Sequence, residues 1–316
     1  MEQMKLKVMF AFPSYGGNGG IASEVPQIRQ WMMSLGPKMK GDPRIDDEIV
    51  EVTRADTPIT MVRNEFVKIA RAKQVDVLVM VDSDINPILH EGEPGIKDFF
   101  ESSFDFLYNH YSKGPCVIGS PYCGPPHNRG QNCYVFEWQN YGEQSDEVPF
   151  TLEMVPRMMA AKKRGIQEAG ALPTGLIMYD MRAFRLIEPS RDRAPEVLEQ
   201  LMKGKISKDE ALIKLHDGWF YYEWEDQTAS KKASTEDVTN TRDISLAGQA
   251  ALGYNPMYCN WDAPVGHWKP WCVPGRPNIH DANSVASSFR KAVLDKNVRD
   301  EVIVDASQLR QKGAQK

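Results

Sequence analysis

The 316-residue chain is poor in the features that would place it outside the ordinary globular class. It has five cysteines (Cys116, Cys123, Cys133, Cys259, Cys272), an odd number with no C-x-x-C spacing. That excludes a disulfide framework or zinc knuckle, and reduced structural thiols are expected. No 18-residue apolar stretch is present, and the opening residues lead only to the short run 8–12, too short for a signal core or membrane span. The expected setting is therefore the cytoplasm, without membrane contact. Positive charge is not in excess: 38 Lys and Arg against 43 Asp and Glu leave a net charge of −5. A surface that grips nucleic acid by counterion release alone is excluded, whereas a local basic groove is not. With 41% hydrophobic and 26% charged residues, disorder and collagen are excluded as well. The length admits one large α/β domain or two smaller ones.

What the sequence does contain is an alternation of strand and helix patterns. An apolar run at 5–12 ends in a glycine-rich loop, 16–20, followed by helical spacing at 21–35. A strand is predicted at 47–53, an amphipathic helix at 59–73 and a nearly continuous apolar strand at 75–81. A strand apolar on both faces belongs inside a helix-covered sheet. A helix at 96–111, strands at 116–119 and 132–138, and a helix at 152–169 carrying Lys162, Lys163 and Arg164 complete the pattern. The expected class is α/β, an open mixed sheet flanked by helices. The expected organisation is one domain over 1–280, with halves at 5–120 and 121–280, a helical insertion near 190–215, and a C-terminal helix and tail at 281–316.

Chemistry concentrates at a few positions. Asp82-Ser83-Asp84 follows the apolar strand, at the carboxyl edge where open α/β sheets bind ligands. Two carboxylates there suit a hard divalent cation, or else a turn with a helix cap. Glu236 and Asp237, after Ser234 and Thr235, read as a helix start, with general-base chemistry as the alternative. His267 follows a Trp- and Pro-rich loop; an imidazole completes a carboxylate metal site or simply packs. Arg63-Asn64 lies early in a helix, where Arg suits a diphosphate or a nucleobase. Thr174-Gly175 marks a close-approach loop. The G-x-G-x-x-A at 17–22 has no acidic partner about 20 residues on, so a dinucleotide site is not expected.

Taken in order, Arg63-Asn64, Asp82-Ser83-Asp84, Thr174-Gly175, Thr235-Glu236-Asp237, Arg242, Gly248 and Gly266-His267 resemble the motif series of metal-dependent glycosyltransferases of the GT-A fold. The closest resemblance is to family-2-like enzymes encoded by bacteriophages, whose setting is the host cytoplasm. It implies Mn²⁺ or Mg²⁺ and a nucleotide-sugar donor, with a UDP-sugar the first expectation. By position, Asp84, Asp82 and His267 would hold the metal, and Arg63, Asn64, Asp82, Ser83, Thr174 and Gly175 would line the donor. Asp237, with Glu236 beside it, would supply the base. The acceptor implied is a hydroxyl, including that of a hydroxymethylated pyrimidine in DNA. Trp224, Trp261, Trp268 and Lys269 would contact it, and Arg129, Lys162–Arg164, Lys231, Lys232 and Arg276 would form a basic rim. No obligate protein partner is implied. The competing readings are a phosphotransferase using Asp82 as nucleophile and a nucleotide or nucleic-acid binding module without turnover.

Overall fold

The computed structural model describes residues 4–13, 25–46, 50–54, 59–123, 132–139, 151–189, 194–208, 211, 218–224, 232–268 and 272–273. The glycine loop at 16–20, Lys269, Arg276 and the expected C-terminal helix at 281–316 lie outside them. One compact unit spans Met1–Arg276 and a second spans Pro277–Lys316. Among the described residues, no helix is long and apolar enough to cross a membrane.

In chain order the elements are β1 (Val8–Pro13), α1 (Pro26–Gly41), β2 (Val50–Arg54), α2 (Ile59–Ala72), β3 (Val77–Val81), β4 (Ile85–Asn86), α3 (Phe99–His110) and β5 (Val117–Gly119). Then follow β6 (Asn132–Gln139), β7 (Thr151–Pro156), the single turn α4 (Arg157–Ala160), β8 (Ile166–Glu168), β9 (Leu176–Asp180) and α5 (Ala194–Met202). The last are β10 (Glu223–Trp224), β11 (Lys232–Ser234), α6 (Glu236–Leu252), β12 (Met257–Asn260), β13 (Gly266–Trp268) and β14 (Cys272–Val273).

Seven strands form the central sheet in the order β2-β1-β3-β9-β5-β12-β8. β1 runs parallel to β2 and β3, and β12 parallel to β5, while β9 lies antiparallel between β3 and β5. The fold is therefore a mixed α/β sheet flanked by helices. Its core follows from period-2 alternation in strands buried on both faces. Val8, Phe10, Phe12, Val77, Val79 and Val81 pack with Trp31 and Leu35 of α1 and Phe100 and Phe104 of α3. Met9, Ala11, Leu78 and Met80 pack on the other side with Val62 and Phe66 of α2 and Ile244 of α6. Each such buried side chain contributes about 1.5–3 kcal/mol.

The topology also sets where ligands can sit. β1, β3, β5 and β12 end at one edge, and the antiparallel β9 begins there, so the chain just after β3 and β5 and just before β9 converges.

One predicted element is corrected. Residues 152–169 are not a helix: β7 pairs antiparallel with β6, Trp138 facing Leu152 and Phe136 facing Met154. Pro156 lacks an N–H and restricts the residue before it, so a helix cannot run through it. Gly165 then turns the chain at φ +70°, and β8 joins the sheet edge against β12. Of the expected insertion, α5 is described; β6, predicted as a strand, stands in a separate two-stranded sheet.

Asp98 ties two helices together. Its carboxylate caps α3 by accepting from the Glu101 N–H at 2.9 Å and accepts from the Trp31 indole N–H of α1 at 2.6 Å. Asp98→Ala removes a cap and orphans a buried donor, so it should lower stability by about 2–4 kcal/mol. Urea unfolding reads this as a lower midpoint at unchanged slope; an unchanged midpoint would contradict it.

Candidate functional site

At the carboxyl edge, β3 runs directly into Asp82. Its N–H donates to the Gly175 carbonyl at 2.8 Å, and its own carbonyl accepts from the Ile85 N–H. The Asp82 carboxylate meets Arg63 from the second turn of α2: one Nη2 donates to both oxygens, at 3.0 and 2.9 Å. Both residues are buried, with Arg63 only 1% exposed. The same guanidinium reaches the Thr174 carbonyl at 3.4 Å, lies 3.8 Å from the Glu236 carboxylate, and sits 5.9 Å from the Phe220 ring centroid. One buried cation thus faces two carboxylates from different parts of the chain. Burial pushes the Asp82 carboxyl up, to about 7, against the pull of Arg63; the charges of Asp84 and Glu236 push the same way.

Asp84 takes a different partner. β4 pairs antiparallel with β13, placing His267 opposite Ile85, and the His267 imidazole Nε2 lies 3.1 Å from an Asp84 carboxylate oxygen. Residues 183 apart in sequence are joined by two short strands. His267 is buried, and its Nδ1 has no hydrogen-bond partner among the described residues. The Thr174 hydroxyl is likewise buried and unpartnered. Buried polar atoms are nearly always paired, so each of these two is a candidate to meet a ligand.

Glu236 and Asp237 open α6 but face different neighbours. Glu236 is buried against Arg63, and the Tyr222 hydroxyl hydrogen-bonds to it. The Asp237 carboxylate accepts from the Thr235 hydroxyl and from the Val238 N–H, and Thr235 itself makes no side-chain cap bond. Tyr122 is a buried phenol held well above its ordinary value by burial first and then by the charges of Asp237, Asp82 and Asp84.

Tyr122 was not singled out in the sequence. Its signal was position: it follows β5 at the edge where β3 delivers Asp82.

Several predicted site residues have other work. The Asn64 amide donates to the Thr60 and Phe220 carbonyls and accepts from the Phe220 N–H, so it clamps the backbone at Phe220. Trp261 is a correction: at 3% exposure it belongs to the core, packed with Met257 and Cys259, and Lys163 covers its face at 5.4 Å. It offers no stacking platform. Lys163 also pairs with Glu137, and the exposed Arg164 donates to the Ala161 and Lys163 carbonyls. Ser83 is half-buried. Only backbone is described for Trp224 and Trp268, and Lys269 lies outside the described residues.

The cation implied by the resemblance can be tested against these groups. Among the described residues no three His, Cys, Asp or Glu side chains gather to hold a metal. Asp82 is engaged by Arg63 on both oxygens. Asp84 and His267 do fit as a pair: a hard carboxylate and an imidazole whose donor atoms, 3.1 Å apart, suit two ligands of one divalent ion. The surrounding carboxylates favour a cation there.

No family model and no curated protein matches the chain. Among solved structures, A197 from STIV is similar at 14% identity and TM-score 0.38, over 84% of this chain and 86% of that one. The structure of CMP:2-keto-3-deoxy-manno-octonic acid synthetase complexed with CTP is similar at 12% identity and TM-score 0.24, over 63% of this chain and 87% of that one. At TM-scores this low, neither likeness bears on the chemistry of the site, which rests on the geometry above.

Removing one member of a buried ion pair leaves an uncompensated charge. Arg63→Ala should therefore destabilise the protein by about 3–5 kcal/mol, read by urea unfolding. A loss within about 0.5 kcal/mol, the range of an ordinary surface change, would contradict the burial of this pair.

Proposed function

We propose that the protein is a metal-dependent glycosyltransferase that moves a sugar from a nucleotide-sugar donor to a hydroxyl acceptor. The observation that carries the reading is the Asp84–His267 pair at the carboxyl edge of the sheet, supported by the Thr174 hydroxyl, which is buried with no partner among the described residues. Asp84 and His267 are the residues that would hold Mn²⁺ or Mg²⁺, with diphosphate oxygens and water as the remaining ligands. When bound, the ion supplies charge neutralisation for the departing nucleoside diphosphate.

The other roles belong to the chain itself. Asp237 is the proposed base. It sits at the start of α6, where one carboxylate oxygen accepts from the Thr235 hydroxyl and the Val238 N–H, and its other oxygen is proposed to receive the acceptor's proton. Glu236 is the counter-charge that fixes Arg63 from the far side of Asp82. Thr174 is proposed to donate its hydroxyl to a sugar or phosphate oxygen, and Gly175 to let that ligand approach the backbone. Asp82 enters as part of the buried frame and not as a metal ligand. A UDP-sugar is the first donor to test.

On the acceptor side, a hydroxymethylated base in DNA loses the stacking support that Trp261 was expected to give, and a hydroxyl on a glycan or protein is the alternative acceptor.

Thermal melting tests the reading with UDP-, GDP-, ADP- and CMP-sugars, each with and without Mn²⁺. A ligand that binds only the native state at one hundred times its Kd adds about 2.7 kcal/mol, so one donor should raise Tm by several degrees, and only with the metal. Asp84→Asn should abolish that shift while its own unliganded Tm stays close to the parent's. No metal-dependent shift with any donor, or an undiminished shift in Asp84→Asn, would contradict it.

A further inference from the structure

A histidine that serves a metal is usually oriented by a hydrogen bond from its other ring nitrogen to a carboxylate, carbonyl or water. His267 lacks this among the described residues: Nε2 faces Asp84, and Nδ1 is buried without a partner. Among the described residues, packing against the ring is what fixes its plane.

Two tyrosines supply it. The Tyr122 ring lies 4.8 Å from the His267 ring at an interplanar angle of 55°, and Tyr134 meets His267 nearly edge-on at 6.2 Å and 76°. The two tyrosines meet each other at 5.6 Å and 80°. These centroid spacings and tilts fall in the range aromatic pairs prefer.

The backbone holds this cluster from both sides. The Tyr134 N–H and the Cys133 thiol donate to the Tyr122 carbonyl, at 2.9 and 3.4 Å. On the other flank the Ser120 hydroxyl donates to the Ala263 carbonyl at 2.7 Å, and the Val265 N–H to the Pro121 carbonyl at 3.2 Å. The segment carrying Tyr122 is therefore stitched to the segment that carries His267.

The far end of Tyr122 is held by a notch. A Cβ added to Gly175 would stand 2.7 Å from the Tyr122 hydroxyl oxygen and 2.8 Å from Ile85 Cδ1. Glycine at 175 is what allows Tyr122 its place between that loop and the imidazole.

We infer that Tyr122, seated in the Gly175 notch and backed by Tyr134, is the positioning residue that holds the His267 imidazole toward Asp84 and so presents both as ligands to a divalent cation. This rests on the proposed cation site and assigns the work to the ring of Tyr122, not to its hydroxyl.

The test titrates the full-length protein with Mn²⁺ in the presence of UDP, free Mn²⁺ being read by its EPR signal. Tyr122→Phe keeps the ring and should bind Mn²⁺ within about twofold of the parent. Tyr122→Leu should weaken binding by about tenfold or more, the usual scale for losing a group that orients a metal ligand. Gly175→Ala, which keeps both tyrosines but closes the notch, should weaken it similarly, and it decides the matter if Tyr122→Leu does not fold. Parental affinity in both Tyr122→Leu and Gly175→Ala, or a loss in Tyr122→Phe as large as in Tyr122→Leu, overturns the assignment while leaving the cation site standing. If the parent protein itself binds no Mn²⁺ with UDP present, the cation site and the assignment fall together.

Discussion

The structure is organised around a buried guanidinium. Arg63 rises from α2 into an apolar interior and is matched there by Asp82 at the end of β3, with Glu236 from α6 behind it. Burying charges is expensive, several kcal/mol for each ion even after relaxation, and is offset only where geometry and hydrogen bonding are good. Donation from one Nη2 to both Asp82 oxygens and a further contact to the Thr174 carbonyl supply part of that offset. The consequence is architectural: α2, the end of β3, the loop before β9 and the start of α6 cannot shift independently without stranding a charge. That shared constraint draws residues as distant as 63, 82, 174 and 236 into one cluster.

Around this frame the polar groups divide into those already satisfied and those left open. Asn64, Thr239 and Asn240 bind the backbone of Phe220, Tyr221 and Trp219, and so fix the segment that brings Tyr222 to Glu236. Among the described residues the Thr174 hydroxyl is left open, and the Asp84–His267 pair and Asp237 are the groups proposed to meet a ligand. The overall charge of −5 is therefore less informative than its placement, because much of the acid near the site is gathered around one cationic side chain and one proposed cation.

Part of this was legible in the sequence and part was not, for identifiable reasons. The uninterrupted apolar run that became β3 announced a central strand, and from it the position of Asp82 and Asp84 at the binding edge followed. The pairing of Asp84 with His267 was not readable, because it depends on β4 and β13, elements of two and three residues with no periodicity of their own. The 152–169 segment was misread because one helical pattern was drawn across a strand, a single turn and a second strand, despite Pro156. Trp261 looked like a recognition residue only because its loop is rich in Trp and Pro; tertiary packing buries it. Asn64 was adjacent to Arg63 in sequence, but neighbours on a helix point about 100° apart, and the two do different work. Tyr122 went unmarked because its role comes from the antiparallel strand order that brings Gly175 beside it.

These features support an account in which a rigid ion-pair frame presents a two-residue cation site to a nucleotide sugar. The most direct measurement is release of nucleoside diphosphate from a panel of nucleotide sugars, followed over time with Mn²⁺ and again with a chelator. The account predicts release from one donor well beyond one equivalent per protein molecule, and its loss in chelator. Release of no more than one equivalent from every donor, or turnover that continues unchanged in chelator, would contradict it.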